Sequence, residues 1–402
     1  MNYGFRATQH DCPTGVKSTT DYGYPKKSLV ALAVLASCGA AMAQSSVNLY
    51  GRFDTGIEKL PGVSTRVSSG AGSSSRLGFR GVEDLGGGLQ ASFVVETSFE
   101  SDKAGFLNSS GLAGIGNRAT WLSIGSKDLG KFSLGRGYVG AFFTQLWADP
   151  TINSYGQRAA GTVIIYSTAN QSRLDNVIRY ETPNYMGLSA DLGLGLRGDG
   201  GELRPAVDAG TAAGSPTRNI SSKNTTGYTL HTQFRTREVY VGVSVAKIPD
   251  SRLAFSALGP APITNMNVNG NVWTIAGYYD FGPIKISGAF ENDRRFSSDK
   301  NAGHITLSAP VGNGLLVAWY GIDQNGGASN SALNPGGALT SNYKVASVSY
   351  MYDLSKRTHL YAAVNDDNVS GTFRNPATRK KITSQTAISD GISTQIGIRH
   401  DF

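Results

Sequence analysis

Arginine recurs on one side of segments in which every second residue is apolar. Arg52 lies in VNLYGRFDTGIE, Arg76 and Arg80 lie in SSRLGFRG, and Arg173 and Arg179 lie in RLDNVIRYE. Alternate side chains of an extended strand point to opposite faces, so these arginines fall opposite the apolar residues. A guanidinium is always charged, and several on one wall produce a transverse field if acids stand opposite. Such a field orients polar solutes without binding anything tightly.

Two further arginines are placed less simply. Arg118 opens NRATWLSIG, where the alternation is weak. Arg136 in FSLGRGY shares the parity of Phe132 and Leu134, so simple alternation puts it on the apolar face. An inward position for Arg136 therefore requires a β-bulge near Gly135 or the end of the strand.

A plainer interpretation applies to all of these arginines. Charged residues on the inner face of a closed sheet are often only solvated or are paired with a nearby acid. The acids available for such pairing include Asp54, Glu96 and Glu181. This alternative stays open at the level of sequence.

The alternating segments have the length of membrane-spanning strands. Apolar residues on one face of the first segment are Val47, Leu49, Phe53 and Ile57. In RLDNVIRYE the same interpretation places Leu174, Ile178 and Tyr180 on the outer face. These segments run for about ten residues, which suits a tilted strand that crosses a bilayer and exceeds the usual globular strand of about five or six.

Seven short connections separate these strands and are rich in Gly, Pro, Asp or Asn: EDLGGG, SKDLGK, ETPNYMG, RTR, DFGP, APVGNG and DLSKRT. Seven hairpins with one further strand at each end make sixteen strands. The long connections that begin at Leu196 and Asp323 are Gly-, Ser- and Asn-rich and are typical of exposed loops. The sequence thus predicts an all-β fold, a 16-stranded antiparallel transmembrane β-barrel with short periplasmic turns and long extracellular loops.

The N-terminus carries the pattern of an export signal. Lys26 and Lys27 precede SLVALAVLASCGAAMA, which ends in a small-residue cleavage pattern. We expect residues 1–43 to be an N-terminal extension and signal peptide that is removed, which leaves residues 44–402 as the barrel. A transmembrane anchor is the alternative, but the run is short and rich in Ala.

Composition argues against other classes of protein. The formal net charge of +8 is a modest basic bias and does not indicate a nucleic-acid partner. Both cysteines, Cys12 and Cys38, lie in the removed segment, so neither disulfides nor cysteine metal sites are expected. The remaining histidines lack metal-ligand spacing and the GxG of GLGLRGDGG is not followed by a helix pattern, so no cofactor is predicted.

Several segments resemble the general porins of Gram-negative bacteria, and those of β-proteobacteria in particular. They are SVNLYGRFDTGI, SRLGFRGVEDLGGGLQASFVVE, FSLGRGY, VIRYETPNYMGLSA, YMYDLSKRTHLYAAV and the final GIRHDF. The resemblance runs from about Ser46 to Phe402. It implies a homotrimer of barrels in the outer membrane, with the third long loop folded into the lumen. It also implies that Arg136 lies on the basic wall of the constriction and that Phe402 belongs to the signal read by the barrel-assembly machinery.

The loop expected to narrow the lumen lies between Tyr138 and Gln171. It contains one acid, Asp149, against Arg158, whereas related porins often carry several acids there. Arginines that face few acids should favour anions. The expected function is therefore passive diffusion of small hydrophilic solutes and ions with a weak anion preference, in contact with lipid and lipopolysaccharide. A substrate-selective channel, or an enzyme or adhesin anchored by the barrel, are the alternatives.

Overall fold

The structure is a computed structural model. It describes residues 46–61, 64–70, 72–103, 105, 114–138, 140–151, 173–196, 227–247, 271–294, 300–324, 338–374 and 391–402. The predicted signal peptide, most of the two longest connections, and Arg158 lie outside these residues.

The described part of the chain consists almost entirely of strands, which range from 4 to 17 residues. Their bounds are β1 Ser46–Lys59, β2 Arg66–Ser69, β3 Arg76–Gly86, β4 Leu89–Ser98, β5 Ala119–Ser126, β6 Gly130–Tyr138, β7 Arg173–Glu181, β8 Leu188–Gly195, β9 Gly227–Arg235, β10 Val239–Lys247, β11 Val272–Asp280, β12 Lys285–Asp293, β13 Lys300–Val311, β14 Gly314–Gln324, β15 Ala338–Asp353, β16 Thr358–Arg374 and β17 Gly391–Asp401. Within the described residues one helix, α1, spans Gly140–Ala148. Among these residues no helix is both long enough and apolar enough to cross a membrane.

Sixteen of the strands close into an antiparallel barrel, as predicted. From β3 to β17 each strand pairs with the next along the chain, and β1 pairs with both β3 and β17. The four-residue β2 is an addition that pairs only with β1, opposite Thr55 to Glu58. Because β1 and β17 share a ladder from Arg52↔Asp401 to Lys59↔Thr394, the sheet has no free edge there.

All seven predicted tight turns join consecutive strands, which confirms the hairpin count. The turn between β3 and β4 shows why such turns require glycine. Gly86, Gly87 and Gly88 have φ angles of 85°, 61° and 81°, a region that side chains with a Cβ rarely adopt. The GGG triplet therefore ends β3 and reverses the chain into β4.

The predicted faces hold along most strands. On β10, Val243 is 45% exposed on the outside of the barrel, whereas the adjacent Ser244 is 2% exposed on the inside. The first strand shows the same contrast, because Phe53 is exposed and Asp54 is buried. The apolar exterior suits lipid, and the polar residues line the interior.

The prediction for Leu174 was wrong. Leu174 is buried, and it belongs to an apolar cluster with Val177 and Ala246 against which Trp121 packs. The cause is an irregularity in the β6–β7 ladder, where Gly135 pairs with Val177 but Gly137 pairs with Leu174. The additional residue on β7 reverses the alternation, so Leu174 and Ile178 do not share a face.

The loop predicted to enter the lumen does so in its described part. Helix α1 follows β6 directly and packs against the inner faces of β9, β10, β11 and β12. Residues 152–172, which complete this loop, lie outside the described part of the chain. Helix α1 thus occupies part of the barrel interior.

Candidate functional site

Two regions of the inner surface carry most of the long polar side chains. We call the inner face of β1, β3, β5, β6 and β7, together with the residues that directly flank these strands, the arginine wall. We call the inner face of β9 to β12, on which α1 packs, the helix wall. Five predicted site residues lie on the first, namely Arg52, Arg76, Arg80, Arg118 and Arg179. Arg136 lies on β6 opposite Thr120, Asp149 follows α1 and Phe402 follows β17.

Arg52 joins the first strand of the barrel to the last. Its Nε lies 2.5 Å from Oδ1 of Asp401 and its Nη2 lies 3.2 Å from Oδ2, which is a bidentate ion pair. Its Nη1 donates to the Ser73 hydroxyl at 3.0 Å. Since Arg52 and Asp401 are direct partners in the β1–β17 ladder, this ion pair bridges the closure of the barrel.

Arg76 and Arg80 have no carboxylate partner among the described residues. Arg76 donates from Nη2 to the Ser73 hydroxyl at 2.9 Å and from Nε to the Ser74 carbonyl at 3.2 Å. The Arg80 guanidinium lies 5.1 Å from the centroid of the Tyr50 ring. Neither residue therefore forms an ion pair within the described part of the chain.

Arg118 is buried beside Glu96. Its Nε donates to Oε1 of Glu96 at 2.6 Å, and Tyr50 donates to the other carboxylate oxygen at 3.2 Å. Arg118 also donates to Ser98 at 3.2 Å and to the Tyr138 hydroxyl at 2.7 Å. The pairing of Arg118 with an acid, which the sequence left open, is thus present.

Arg173 shares the hydroxyl of Tyr138 with Arg118. Its Nη2 donates to that oxygen, and its guanidinium lies 4.0 Å from the centroid of the Tyr138 ring. No carboxylate among the described residues pairs with Arg173. The alternation of β7 predicted an inward Arg173, but nothing in the sequence indicated a role for Tyr138, since a tyrosine at the end of a strand carries no signal of its own.

A register irregularity lies beside Arg136, but its additional residue is on β7, so it is not the β6 bulge that an inward Arg136 requires. The register shifts between Gly135 and Gly137, and Gly135 has a φ of 143°. The Arg136 guanidinium reaches the Asn117 carbonyl at 3.2 and 3.3 Å and forms an ion pair with Asp175. A role for Arg136 in the constriction stays a prediction.

Arg179 is an acid-paired member of the arginine wall. It forms an ion pair with Asp191 and donates to Glu181 at 3.0 Å. Its guanidinium also lies 5.1 Å from the centroid of the Phe143 ring on α1. Two carboxylates thus offset the charge of Arg179 on site.

The Asp149 side chain forms hydrogen bonds within its own loop. Its Oδ1 accepts hydrogen bonds at 2.8 Å from both the backbone N–H and the hydroxyl of Thr151, and the residue is 3% exposed. Whether it also opposes the arginines stays a prediction.

Phe402 lies at the junction of the first and last strands. Its backbone N–H and carbonyl bond to Gly51 at 3.1 and 3.0 Å. A Cβ on Gly51 would approach the Phe402 ring to 2.4 Å, so the ring covers a position that only glycine leaves open.

Helix α1 is held on the helix wall by hydrogen bonds along its length. The Gly140 N–H donates to Thr229 at 2.9 Å, and the Tyr240 hydroxyl donates to the Thr144 carbonyl at 3.0 Å. The side-chain amide of Gln145 donates to Glu291 at 2.6 Å, and both residues are 1% exposed. A carboxylate on this wall is therefore buried beneath the helix.

The two walls together place uncompensated cations on one side of the barrel. An arginine paired with a carboxylate adds mainly a local dipole, whereas one without an acid adds net charge. Arg76, Arg80 and Arg173 are of the second kind among the described residues. Electrostatic selection of solutes is the chemistry that this arrangement supports.

Comparison with known proteins gives a consistent result. The sequence profile of the Gram-negative porin family matches residues 28–372. The chain is 30% identical to outer membrane porin protein 32 of Delftia acidovorans and 28% identical to an outer membrane porin of Bordetella pertussis, in each case over 94% of this chain and 100% of the relative.

Among solved structures, the anion-selective porin from Comamonas acidovorans superimposes with a TM-score of 0.61 at 22% identity, covering 89% of this chain and 100% of the porin. The family and the names of these relatives indicate a channel and not an enzyme. With a family match across most of its length, this chain belongs to the Gram-negative porins and resides in the outer membrane of a Gram-negative bacterium.

Proposed function

We propose that the chain forms a water-filled pore through which small hydrophilic solutes and ions diffuse passively, with a weak preference for anions. The observation that carries the preference is the group of three lumen-wall arginines, Arg76, Arg80 and Arg173, that have no carboxylate partner among the described residues. The anion selectivity named for the Comamonas structure supports the same direction. No cofactor and no catalytic group is needed for this function.

The preference should be weak because water and mobile ions in the lumen screen the fixed charges. Mobile ions and water in an open lumen reduce the reach of a fixed charge to about 8 Å at physiological ionic strength. The inserted loop should increase the effect by bringing permeating ions close to the arginine wall. The width of the lumen limits which solutes pass, and the charge of its wall sets the preference between anions and cations.

We further propose the assembly that the family resemblance implies. Three copies form a trimer, residues 1–43 are removed during export, and Phe402 contributes to recognition by the barrel-assembly machinery. Lipid and lipopolysaccharide then surround the apolar exterior.

The test is single-channel recording of the refolded, signal-free protein in a planar bilayer, with the reversal potential measured across a potassium chloride gradient. Conductance in steps of three with chloride preferred over potassium is the expected result. Steps with potassium preferred would retain the pore and overturn the charge argument. A correctly folded protein without conductance would overturn the pore itself and favour a barrel-anchored enzyme or adhesin.

A further inference from the structure

We infer that Tyr138 is a positioning residue for charge selectivity, because its hydroxyl holds the Arg173 guanidinium against the arginine wall with little access to water and its ring contacts helix α1. This inference rests on the proposed function. It assigns a role to a residue that performs no selection itself and acts through its neighbours.

The first step is the convergence of two cations on one neutral oxygen. Arg118 donates to the Tyr138 hydroxyl at 2.7 Å, and Arg173 donates to the same atom. Like charges repel at this range, so their approach requires electron-rich groups between them. The phenol supplies its oxygen to both guanidiniums and the face of its ring to Arg173, whose guanidinium lies 4.0 Å from the ring centroid.

The second step is the unequal position of the two arginines. Arg118 has a carboxylate partner in Glu96 at 2.6 Å and keeps it whatever happens to the phenol. Among the described residues Arg173 has only Tyr138 as a hydrogen-bond partner, and it is 7% exposed. Loss of the hydroxyl therefore releases Arg173 and leaves Arg118 in place.

The third step is the contact with the inserted helix. The Tyr138 ring stacks on Phe142 of α1 with centroids 3.9 Å apart and planes 8° from parallel. Phe143 lies against the edge of the same ring at 6.1 Å. Helix α1 is also hydrogen-bonded to the helix wall. The Tyr138 ring is therefore a contact between the arginine wall and the inserted helix.

Tyr138→Phe separates these roles because it removes the hydroxyl and keeps the ring. The freed guanidinium of Arg173 gains access to water, and we expect the chloride-to-potassium permeability ratio to rise roughly twofold. Phe142→Leu is the matched control, since it breaks the stack and keeps the hydroxyl. We expect it to leave the permeability ratio unchanged and to increase the open-channel current noise.

The decisive comparison repeats Tyr138→Phe in an Arg173→Gln background. The permeability ratio should then no longer respond to the loss of the hydroxyl. A response of the same size in both backgrounds would overturn the inference, as would an unchanged ratio in Tyr138→Phe alone. If Tyr138→Phe fails to fold, Arg173→Lys replaces it: the charge is kept, the planar contact with the ring is lost, and the ratio should rise, so an unchanged ratio contradicts the inference.

Failure of this inference is distinguishable from failure of the proposed function. An unmodified protein that folds but shows no conductance rejects the pore. An unmodified protein that conducts, with variants that do not change its selectivity, rejects only the role of Tyr138.

Discussion

The arginine wall and the helix wall differ in the sign and the pairing of their charged side chains. On the arginine wall, long cationic side chains lie side by side and three of them lack a carboxylate partner among the described residues. On the helix wall, the carboxylate of Glu291 is buried and bonded to Gln145 beneath α1. Under the proposed function, the arginine wall supplies the field and the helix wall fixes the loop that brings solutes into it.

The exteriors of the two walls should nevertheless be equivalent. Leu134 and Val243 are the central residues of β6 and β10, behind the arginine wall and the helix wall, and are 49% and 45% exposed. Leu134→Arg and Val243→Arg should each lower the free energy of unfolding by ~2–4 kcal/mol if both sites lie near the membrane midplane. Urea titration of the protein folded in lipid vesicles measures this, with Val243→Leu as a nearly neutral control. A tolerated Leu134→Arg would contradict the outward assignment of β6.

Breaking the contact between α1 and the helix wall should produce the next largest effect. Gln145→Ala removes the 2.6 Å hydrogen bond that the Gln145 amide donates to the buried Glu291 carboxylate. A hydrogen bond to a charged group contributes about 1.5–3 kcal/mol, so the unfolding midpoint should fall.

The control for that experiment adds Glu291→Gln to Gln145→Ala. Removing the charge removes most of the desolvation penalty, so part of the stability should return. A double variant that is less stable than Gln145→Ala by the full effect of a second independent change would show that the two side chains are not coupled.

The smallest effect should come from single charges on the arginine wall. Arg76→Gln or Arg80→Gln removes an uncompensated cation and should lower the chloride-to-potassium permeability ratio by roughly a factor of two or less. The matched control, Arg52→Gln with Asp401→Asn, removes a charged pair without changing net charge. Its reversal potential should stay close to that of the unmodified protein; an equal shift in both variants would show that net charge does not set selectivity.

Most of the fold follows from local sequence. Strand faces and turns depend on residues two to six positions apart, so the GGG of the β3–β4 turn and the valines of β10 suffice to predict them. Leu174 was misplaced because nothing in RLDNVIRYE shows that Asn176 adopts a φ of 55° and that β7 carries an extra residue. A register irregularity depends on both paired strands, so the sequence of one strand alone does not predict it.

The site was predictable in its residue types and less so in its pairing. Alternation placed Arg179 inside, and the nearby Glu181 was among the acids considered. The pairing of Arg52 with Asp401 links residues 349 positions apart, which no local pattern reveals. The shared hydroxyl of Tyr138 was missed for the same reason, since its partners come from the ends of two other strands.

The pairing of β1 with β17 determines when the barrel can close during synthesis and folding. The first strand has its final partner only after every other strand has been synthesised, because its ladder begins at Asp401. Until then one edge of β1 presents unpaired backbone groups to any other edge it meets. Whatever receives the emerging chain must therefore shelter that edge throughout synthesis and release it to the last twelve residues, 391–402.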